Sequence, residues 1–417
     1  MPDSHTSVPR KDASSSIVKL AQALVRIPSR GGIDDYTAVV QTLEMWLSSH
    51  RMSPTRLVDA DGKLVGVMTE IEGARPGPTY VLDATVDTAL FGDPASWTHG
   101  PVSGDIEDGW LYGRGAADSK TGVAIFAHLG ARLASAKDRL AGRTILLFDG
   151  DEHYGSFNGA VTFFERILAG RKVDALMIGY PGPERIVVGG RGFIRFVISV
   201  HGQAAHSGSS HPAASNAVTK AGRVISQLAA LDGRLADRRM DGFDVPPKVT
   251  VTSVSGGEDF SLVPDLCRIG VDVRVTPAFG AEEAEVAIHE AVASQDREDP
   301  ERPSVVETIK GWPPFRTPDT AHFVTTLQRA AEAALARPVP LEVVGPSNIG
   351  NYVAGLGIPA VAGFGAVYRN LHAADECIEV ASVEPVYRAY MDTMFTLLGD
   401  TDRRPATLSR DVGGGEP

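Results

Sequence analysis

The sequence predicts an α/β fold: a larger domain whose sheet is mostly parallel and has helices on both faces, with a smaller α+β domain inserted into it. Two observations predict this. Short apolar runs alternate with longer amphipathic stretches along most of the chain, which is typical of a parallel sheet covered by helices. Near the middle of the chain, half-exposed strands separated by helices replace that pattern.

The elements of the larger domain follow from hydrophobic periodicity. Four stretches have apolar residues at helical spacing, which predicts helices. They are residues 17–24, 37–47, 121–133 and 160–168. Four short apolar runs predict buried strands. They are residues 80–82, 144–148, 173–179 and 359–364.

The middle of the chain predicts a β-α-β-β-α unit. Its expected strands are 191–202, 248–254 and 267–275, and its expected helices are 213–230 and 282–294. We therefore predict three regions. They are a discontinuous catalytic domain at 1–190 and 308–400, the inserted domain at 191–307, and a disordered tail at 401–417.

Composition limits the range of partners and locations. The net charge of −12 argues against nucleic acid, whose phosphates require clustered basic residues. No apolar run approaches the roughly 20 residues that span a bilayer, so we expect no membrane partner. The first sixteen residues lack the apolar core of a secretion signal, and Cys267 and Cys377 form no spacing motif. We expect two reduced thiols and a cytoplasmic protein.

Polar residues follow the predicted strands of the larger domain, at the points where those strands end. They are Thr85, Asp87, Asp151, Glu152, His153, Tyr180 and, in the loop after the last strand, His372. In open α/β sheets, ligands bind outside the carboxyl ends of the strands. We therefore expect these side chains from distant parts of the chain to meet at one edge of the sheet.

Three segments and a late histidine resemble a known family in their order and spacing. The segments are 84–88, 113–120 and 151–155, and His372 is followed by an Asp-Glu pair. They resemble the co-catalytic zinc exopeptidases and deacylases. That family includes aminoacylases, acetylornithine deacetylase, succinyl-diaminopimelate desuccinylase and glutamate carboxypeptidase. The resemblance implies an amide-bond hydrolase with the two-domain fold described above.

The resemblance also implies a metal site. In that family two zinc ions share one aspartate, and a glutamate acts as the general base. Asp118 matches the shared aspartate, Glu152 the base and His372 the late histidine ligand. His153 stands where the family has a metal-binding glutamate, and imidazole is also a zinc ligand. Asp118, His153 and His372 can together hold one divalent metal, Zn²⁺ above all, or Fe²⁺ or Mn²⁺.

The second metal site of the family departs from the pattern. Thr85 stands where the family has a histidine, and Tyr180 where it has an acidic residue, so only Asp118 is left of that site. We expect at most one tightly bound metal, or none, and we assign Thr85 to substrate binding. Asp87 loses its family role of orienting the missing histidine. Tyr180 is a hydrogen-bond donor or acid at the substrate carbonyl, or it packs at a strand end.

Further candidates lie in and after the inserted domain. His206 matches a histidine with which the family stabilises an oxyanion, often across a dimer, and Asn216 fits the same pattern. Arg274 either binds a substrate carboxylate or forms an ion pair with a neighbour such as Asp272. Asn348 lies where relatives carry a substrate-loop pair. The resemblance implies a homodimer formed through the inserted domain.

Three functions follow from these residues. The first is an amidohydrolase with one metal, either an N-acyl-amino-acid deacylase or a small-peptide carboxypeptidase, whose substrate has a free carboxylate. The second is a metal-independent or non-hydrolytic enzyme for acyl transfer, cyclisation or elimination, with Glu152 and Tyr180 as base and acid. The third is a non-catalytic binding protein. The joint retention of Asp118, Glu152, His206 and His372 favours the first.

Overall fold

The computed structural model describes residues 10–153, 155–209 and 215–399. The chain divides into two compact units. The first is formed from Met1–Glu184, Thr320–Val339 and Gly363–Pro417, and the second from Arg185–Asp319 and Pro340–Ala362. The tail expected at 401–417 lies outside the described residues.

Helices and strands alternate along the described chain. The helices are α1 (Arg10–Val25), α2 (Thr37–Ser49), α3 (Thr121–Ala136), α4 (Asn158–Val161), α5 (Ala217–Leu235), α6 (Ala281–Asp296), α7 (His322–Leu335), α8 (Ile349–Gly355) and α9 (Val383–Leu397). The strands are β1 (Thr55–Val58), β2 (Leu64–Glu72), β3 (Arg75–Asp83), β4 (Ile106–Glu107), β5 (Trp110–Tyr112), β6 (Ala141–Asp149), β7 (Ala175–Ile178), β8 (Ile186–Gly190), β9 (Gly192–His201), β10 (Ala205–His206), β11 (Lys248–Gly256), β12 (Leu262–Val263), β13 (Leu266–Val275), β14 (Val305–Trp312), β15 (Phe315–Arg316), β16 (Leu341–Val344), β17 (Ala360–Val361), β18 (Tyr368–Arg369) and β19 (Cys377–Glu379). The predicted helix at 160–168 is α4 followed by a wider π-type segment, Thr162–Ile167.

The main sheet of the first unit confirms the predicted α/β fold class. Neighbouring strands follow the order β1, β2, β6, β3, β7. β3 runs parallel to β6 and β7, whereas β2 runs antiparallel to β1 and β6, so the sheet is mixed. The side chains of 145–148 in β6 are all buried, as expected of an inner strand covered on both faces. α2, α3 and α4 contact this sheet, and α1 and α9 contact α3.

A smaller sheet in the first unit brings together the loop that leads to Asp118 and the loop that carries His372. Its strands follow the order β18, β19, β5, β4, and β19 is antiparallel to β5 with Cys377 opposite Tyr112. The chain leaves β5 after Tyr112 and enters β19 at Cys377, so both connections lie at the same end of this ladder. The loop toward Asp118 and the loop that carries His372 are therefore neighbours.

The second unit is built on an antiparallel sheet with the strand order β11, β13, β9, β14. Buried and partly exposed residues alternate along β9 and β13, because one face of this sheet packs on α5 and α6. The insert predicted at 191–307 lies inside this unit. Residues 340–362 also belong to it, since β16 pairs in parallel with β8.

Two further expectations concern the inserted helix and the cysteines. The helix expected at 213–230 is α5, which begins at Ala217; residue 213 lies outside the described part. Cys267 and Cys377 are buried free thiols.

Within the residues described above, no helix is long and apolar enough to cross a membrane.

Substitution of Gly142 tests how tightly β6 packs against β3. Its φ is +79°, and a Cβ there would lie 2.1 Å from the carbonyl oxygen of Pro78. Gly142→Ala should lower the free energy of unfolding by about 1–2 kcal/mol for the left-handed backbone and by about 1–3 kcal/mol more for the overlap. Gly62→Ala is the matched control, since Gly62 has φ +83° and nothing within 4 Å. Equal losses in urea unfolding of the two variants would contradict this account of the packing.

Candidate active site

Asp118, His153 and His372 meet in the first unit. One ligand atom from each of them lies within 4.8 Å of the other two. His372 Nε2 is 3.0 Å from Asp118 Oδ2, and His153 Nε2 is 3.5 Å from the same oxygen. The two imidazole rings are tilted, with their centroids 5.3 Å apart. The three side chains predicted as metal ligands are therefore grouped closely enough to share one ion.

A glycine-dependent loop places Asp118. Gly113 and Gly115 both have positive φ, and a Cβ on Gly115 would lie 2.6 Å from Thr88 Cγ2. The chain then forms a π-type segment, Ala116–Lys120, before α3 begins at Thr121. Asp118 therefore precedes the helix by three positions and does not cap it. The two glycines, which are a weak signal in the sequence, are needed for this backbone path.

Asp87 shapes the turn that carries Glu152 and His153. Its two carboxylate oxygens accept the backbone N–H groups of Glu152 at 3.2 Å and His153 at 3.1 Å. The buried hydroxyl of Thr85 donates to the same carboxylate. Asp87 thus has a structural task that the sequence did not reveal, and Thr85 supports it. Contact between Thr85 and a substrate stays a prediction.

Asp151, next to the proposed base, anchors the same turn from the other side. Its buried carboxylate accepts hydrogen bonds from Tyr36 Oη at 2.6 Å, Lys63 Nζ at 2.9 Å and Asn158 Nδ2 at 3.0 Å. Asp151 itself has φ +68°, a strained conformation for a residue with a side chain. The three donors come from separate parts of the chain, so adjacency to Glu152 was the one hint in the sequence.

The carboxyl of Glu152 is set to exchange a proton near neutral pH. Burial raises the pKa of Glu152 to about 7, His153 opposes that shift, and the carboxylates of Asp118 and Asp87 add to it. Tyr180 Oη donates to Glu152 Oε1 at 2.6 Å. Burial, with Glu152 next, raises the pKa of Tyr180 well above its ordinary value, so the phenol stays a donor. A carboxyl group with such a pKa suits general acid–base catalysis.

His153 offsets the negative charge of two buried aspartates in the site. Burial alone would lower the pKa of His153, but the nearby carboxylates of Asp87 and Asp118 outweigh burial and raise it. The reverse holds for both aspartates, where burial is outweighed chiefly by His153 and the pKa is held below its ordinary value. Two buried carboxylates thus depend on a positive group between them.

The donor atoms fit a single divalent cation. Asp118 Oδ1 is buried and accepts no hydrogen bond within the described part of the chain. The ring nitrogens of His153 are also buried, and they lie 3.4 Å from Asp87 Oδ2 and 3.5 Å from Asp118 Oδ2 without forming a well-aligned hydrogen bond. Buried polar atoms are usually satisfied, so this donor set suits a bound ion. Thr85 and Tyr180, by contrast, direct their hydroxyls at Asp87 and Glu152. That the family's second metal position binds no ion stays a prediction.

His206 lies in the second unit, on the short ribbon of β10 and β12. It faces Leu262 across the ribbon, its ring is exposed, and its Nδ1 accepts the N–H of Gly208 at 3.0 Å. With Nδ1 engaged as an acceptor, Nε2 carries the proton of the neutral ring and can donate it to a ligand. Asn216 caps α5 by accepting from Val218 N. The oxyanion role of His206 stays a prediction.

Arg274 and Asn348 have structural partners in the second unit. Arg274 Nε donates to Asp272 Oδ1 at 2.7 Å, which is the ion pair considered as an alternative, and its Nη1 donates to Ser347 Oγ at 3.2 Å. Asn348 is buried and caps α8. Arg191, which the sequence did not single out, lies near Arg274: burial and that second guanidinium lower its pKa. Substrate binding by these residues stays a prediction.

The sequence of the chain matches known proteins over most of its length. The model of peptidase family M20/M25/M40 matches residues 82–396. The succinyl-diaminopimelate desuccinylase of Cereibacter sphaeroides is 30% identical over 325 residues, which cover 75% of this chain and 82% of that protein. The enzyme of the same name from Caulobacter vibrioides is 27% identical over 380 residues, or 89% and 94% of the two chains.

Solved structures share the fold. The M20 family metallo-carboxypeptidase Sso-CP2 from Sulfolobus solfataricus has a TM-score of 0.74 at 18% identity, over 91% of this chain and 98% of that one. The aminopeptidase PepT from Bacillus cereus has a TM-score of 0.72 at 18% identity, over 92% and 98%. Both are similar to this chain along nearly their whole length.

Fold, site and sequence similarity together define a hydrolytic enzyme of the metallopeptidase-like class. The chain belongs to peptidase family M20/M25/M40. The resemblance predicted from the three segments and the late histidine is thereby confirmed. Membership makes the protein an amide-bond hydrolase of the peptidase or deacylase type.

The hydrogen bond from Tyr180 gives a pH-dependent prediction. That bond lowers the pKa of Glu152, so its removal in Tyr180→Phe should raise this pKa. The acidic limb of the profile of kcat/KM against pH should then move to higher pH, with a larger loss of activity at acidic than at alkaline pH. Tyr80→Phe, in β3, is the control. An acidic limb that stays in place or moves to lower pH would show that the phenol does not act on the base.

Proposed function

We propose that this protein is a single-metal amidohydrolase in which Asp118, His153 and His372 hold one divalent cation and Glu152 is the general base. The observation that carries the proposal is the grouping of the three ligand atoms within 4.8 Å, beside Glu152, which is nearly buried and has a pKa of about 7. Asp118 Oδ1, a buried oxygen that accepts no hydrogen bond within the described part of the chain, supports it. Zn²⁺ is the ion that suits two imidazoles and one carboxylate best.

Glu152 and Tyr180 have different proposed roles in hydrolysis. A divalent cation bound here supplies a Lewis acid for the scissile carbonyl and favours ionisation of water. Glu152 takes the proton of the attacking water and delivers it to the leaving nitrogen. In the protein without metal its pKa is about 7, so this carboxyl can bind and release a proton near neutral pH. Tyr180 holds the carboxylate in place through its hydrogen bond at 2.6 Å.

The substrate we propose is a small amide or peptide with a free carboxylate, either an N-acyl amino acid or a short peptide. The names of the desuccinylase relatives support a deacylase, and the carboxypeptidase neighbour supports recognition of a carboxylate. Arg274, with Arg191 near it, is the candidate for that recognition. A homodimer formed through the second unit and a cytoplasmic location belong to the same proposal.

A second candidate is catalysis without metal. Two observations favour it: the Tyr180–Glu152 hydrogen bond forms an acid–base pair by itself, and His153 already offsets Asp87 and Asp118. Exhaustive chelation distinguishes the two candidates. Activity that disappears with the metal and returns with one equivalent of zinc supports the first, and full activity in protein free of metal supports the second.

Replacing the base should stop turnover and leave binding of the metal intact. Glu152→Gln keeps the shape of the side chain but cannot accept the proton of water, and loss of a general base costs about 10²–10⁴-fold in rate. Zinc content and the unfolding midpoint should stay as in the wild type. Asp138→Asn, an exposed position of the same unit, is the control. Turnover near the wild-type rate in Glu152→Gln would mean that the base is another residue.

Restoring the family's two missing ligands should raise the metal stoichiometry. The double variant Thr85→His/Tyr180→Asp offers an imidazole and a carboxylate beside Asp118, so zinc bound per chain should rise from one equivalent to two. Thr85→His alone is the matched control and should stay at one. Elemental analysis after zinc incubation and desalting measures this. Two equivalents in the wild type would contradict the single-metal proposal.

Removing His206 should slow catalysis without changing the metal. A donor aimed at the developing oxyanion typically contributes about 10²–10³-fold to kcat. His206→Ala should lose that factor while zinc content is retained. His289→Ala, an exposed histidine of the same unit, is the control and should keep wild-type kcat. An unchanged kcat in His206→Ala would leave this histidine without a catalytic role.

A further inference from the structure

Glu376 lies between the two loops that carry Asp118 and His372, and no role has been given to it above. Its side chain is completely buried. One carboxylate oxygen, Oε1, accepts three backbone N–H groups of the first loop, from Gly115 at 3.0 Å, Ala117 at 3.0 Å and Asp118 at 3.2 Å. Its backbone carbonyl accepts the N–H of Gly113 at 2.9 Å. The whole turn before Asp118 is thus bound to one residue.

Arg114 connects the same carboxylate to the second loop. Its Nη1 pairs with Glu376 Oε2, and its Nη2 donates to the backbone carbonyl of His372 at 3.2 Å. The guanidinium is nearly as buried as its partner, with 2% of the side chain exposed. Charge-assisted hydrogen bonds are shorter and stronger than neutral ones, and a buried guanidinium holds a fixed fork geometry. A chain of strong contacts therefore runs from Asp118 through Glu376 and Arg114 to His372.

We propose that Glu376 is a positioning residue that fixes the separation of Asp118 from His372. The inference rests on the proposed function, because it assigns Glu376 to the geometry of the proposed metal ligands. The distance that Glu376 is proposed to fix is the 3.0 Å between Asp118 Oδ2 and His372 Nε2. His372 needs such support, because its side chain is 52% exposed and its backbone has φ +59°.

The neighbouring carboxylate shows that this arrangement is specific to Glu376. Asp375 Oδ1 also accepts two backbone N–H groups, from Thr98 at 2.8 Å and His99 at 2.9 Å. These belong to a different loop, which carries none of the proposed ligands. Asp375 and Glu376 are thus adjacent carboxylates that both accept backbone N–H groups, but from different loops. Substitution of each by its amide gives a matched pair.

The test compares Glu376→Gln with Asp375→Asn in the full chain. A glutamine offers one uncharged acceptor oxygen where Glu376 uses two carboxylate oxygens. It therefore cannot keep both the three backbone N–H contacts of the first loop and the pair with Arg114, and the connection between the two loops should weaken. Loss of an outer partner of a metal ligand typically costs about 10–100-fold in metal affinity. We expect that loss in Glu376→Gln, measured by competition for Zn²⁺ with a chelating indicator, and less than a twofold change in Asp375→Asn. Wild-type affinity in Glu376→Gln, or an equal loss in both variants, would overturn the proposal.

A second measurement needs no metal and separates failure of this inference from failure of the proposed function. Amide hydrogen exchange of the metal-free protein should be faster in Glu376→Gln across 113–120 and unchanged across 94–100. Unchanged exchange at 113–120 would overturn the positioning role. If the wild type binds no zinc, the proposed function fails, and the exchange result alone decides on Glu376. If Glu376→Gln does not fold, Arg114→Lys takes its place in the test. The lysine keeps the positive charge but loses the two-pronged contact with Glu376 and the carbonyl of His372. Wild-type zinc affinity in Arg114→Lys would count against the proposal.

Discussion

The burial of several carboxyl groups at one edge of the sheet is the constraint on which the rest of this structure depends. Asp83, Asp87, Asp118 and Asp149 are all buried, and Glu152 is nearly so. A buried carboxylate is costly unless it takes up a proton, accepts hydrogen bonds or meets a cation. Burial raises the pKa of Asp83 and of Asp149 well above the ordinary value of an aspartate. Asp87 and Asp118 remain charged, so a positive group is required between them.

His153 supplies part of that charge in the protein alone, and a divalent cation can supply it when bound. In the proposed site for one cation, His153 takes the position where the resemblance places a metal-binding glutamate. Thr85 and Tyr180 donate hydrogen bonds to Asp87 and Glu152, which helps to satisfy these two carboxylates. These contacts support the proposal of a single cation.

Sequence analysis identified the fold class and predicted that Asp118, His153 and His372 lie close together, as they do, because strand ends and motif spacing are local signals. It did not identify the partners that hold them. Glu376 meets the loop of Asp118 across more than 250 residues, and Asp151 meets Lys63 across 88. Such contacts depend on tertiary packing, which no periodicity in the chain encodes. The sequence also did not show that the side chain of Asn348 caps α8; its contact with a substrate stays a prediction.

The most direct test of the central claim is a crystal structure of zinc-loaded protein measured at the zinc absorption edge. The account predicts one anomalous peak per chain, bound by Asp118, His153 and His372, and no peak beside Thr85 and Tyr180. Two peaks of comparable height that share Asp118 would contradict it, because the hydroxyls of Thr85 and Tyr180 would then have to serve as metal ligands.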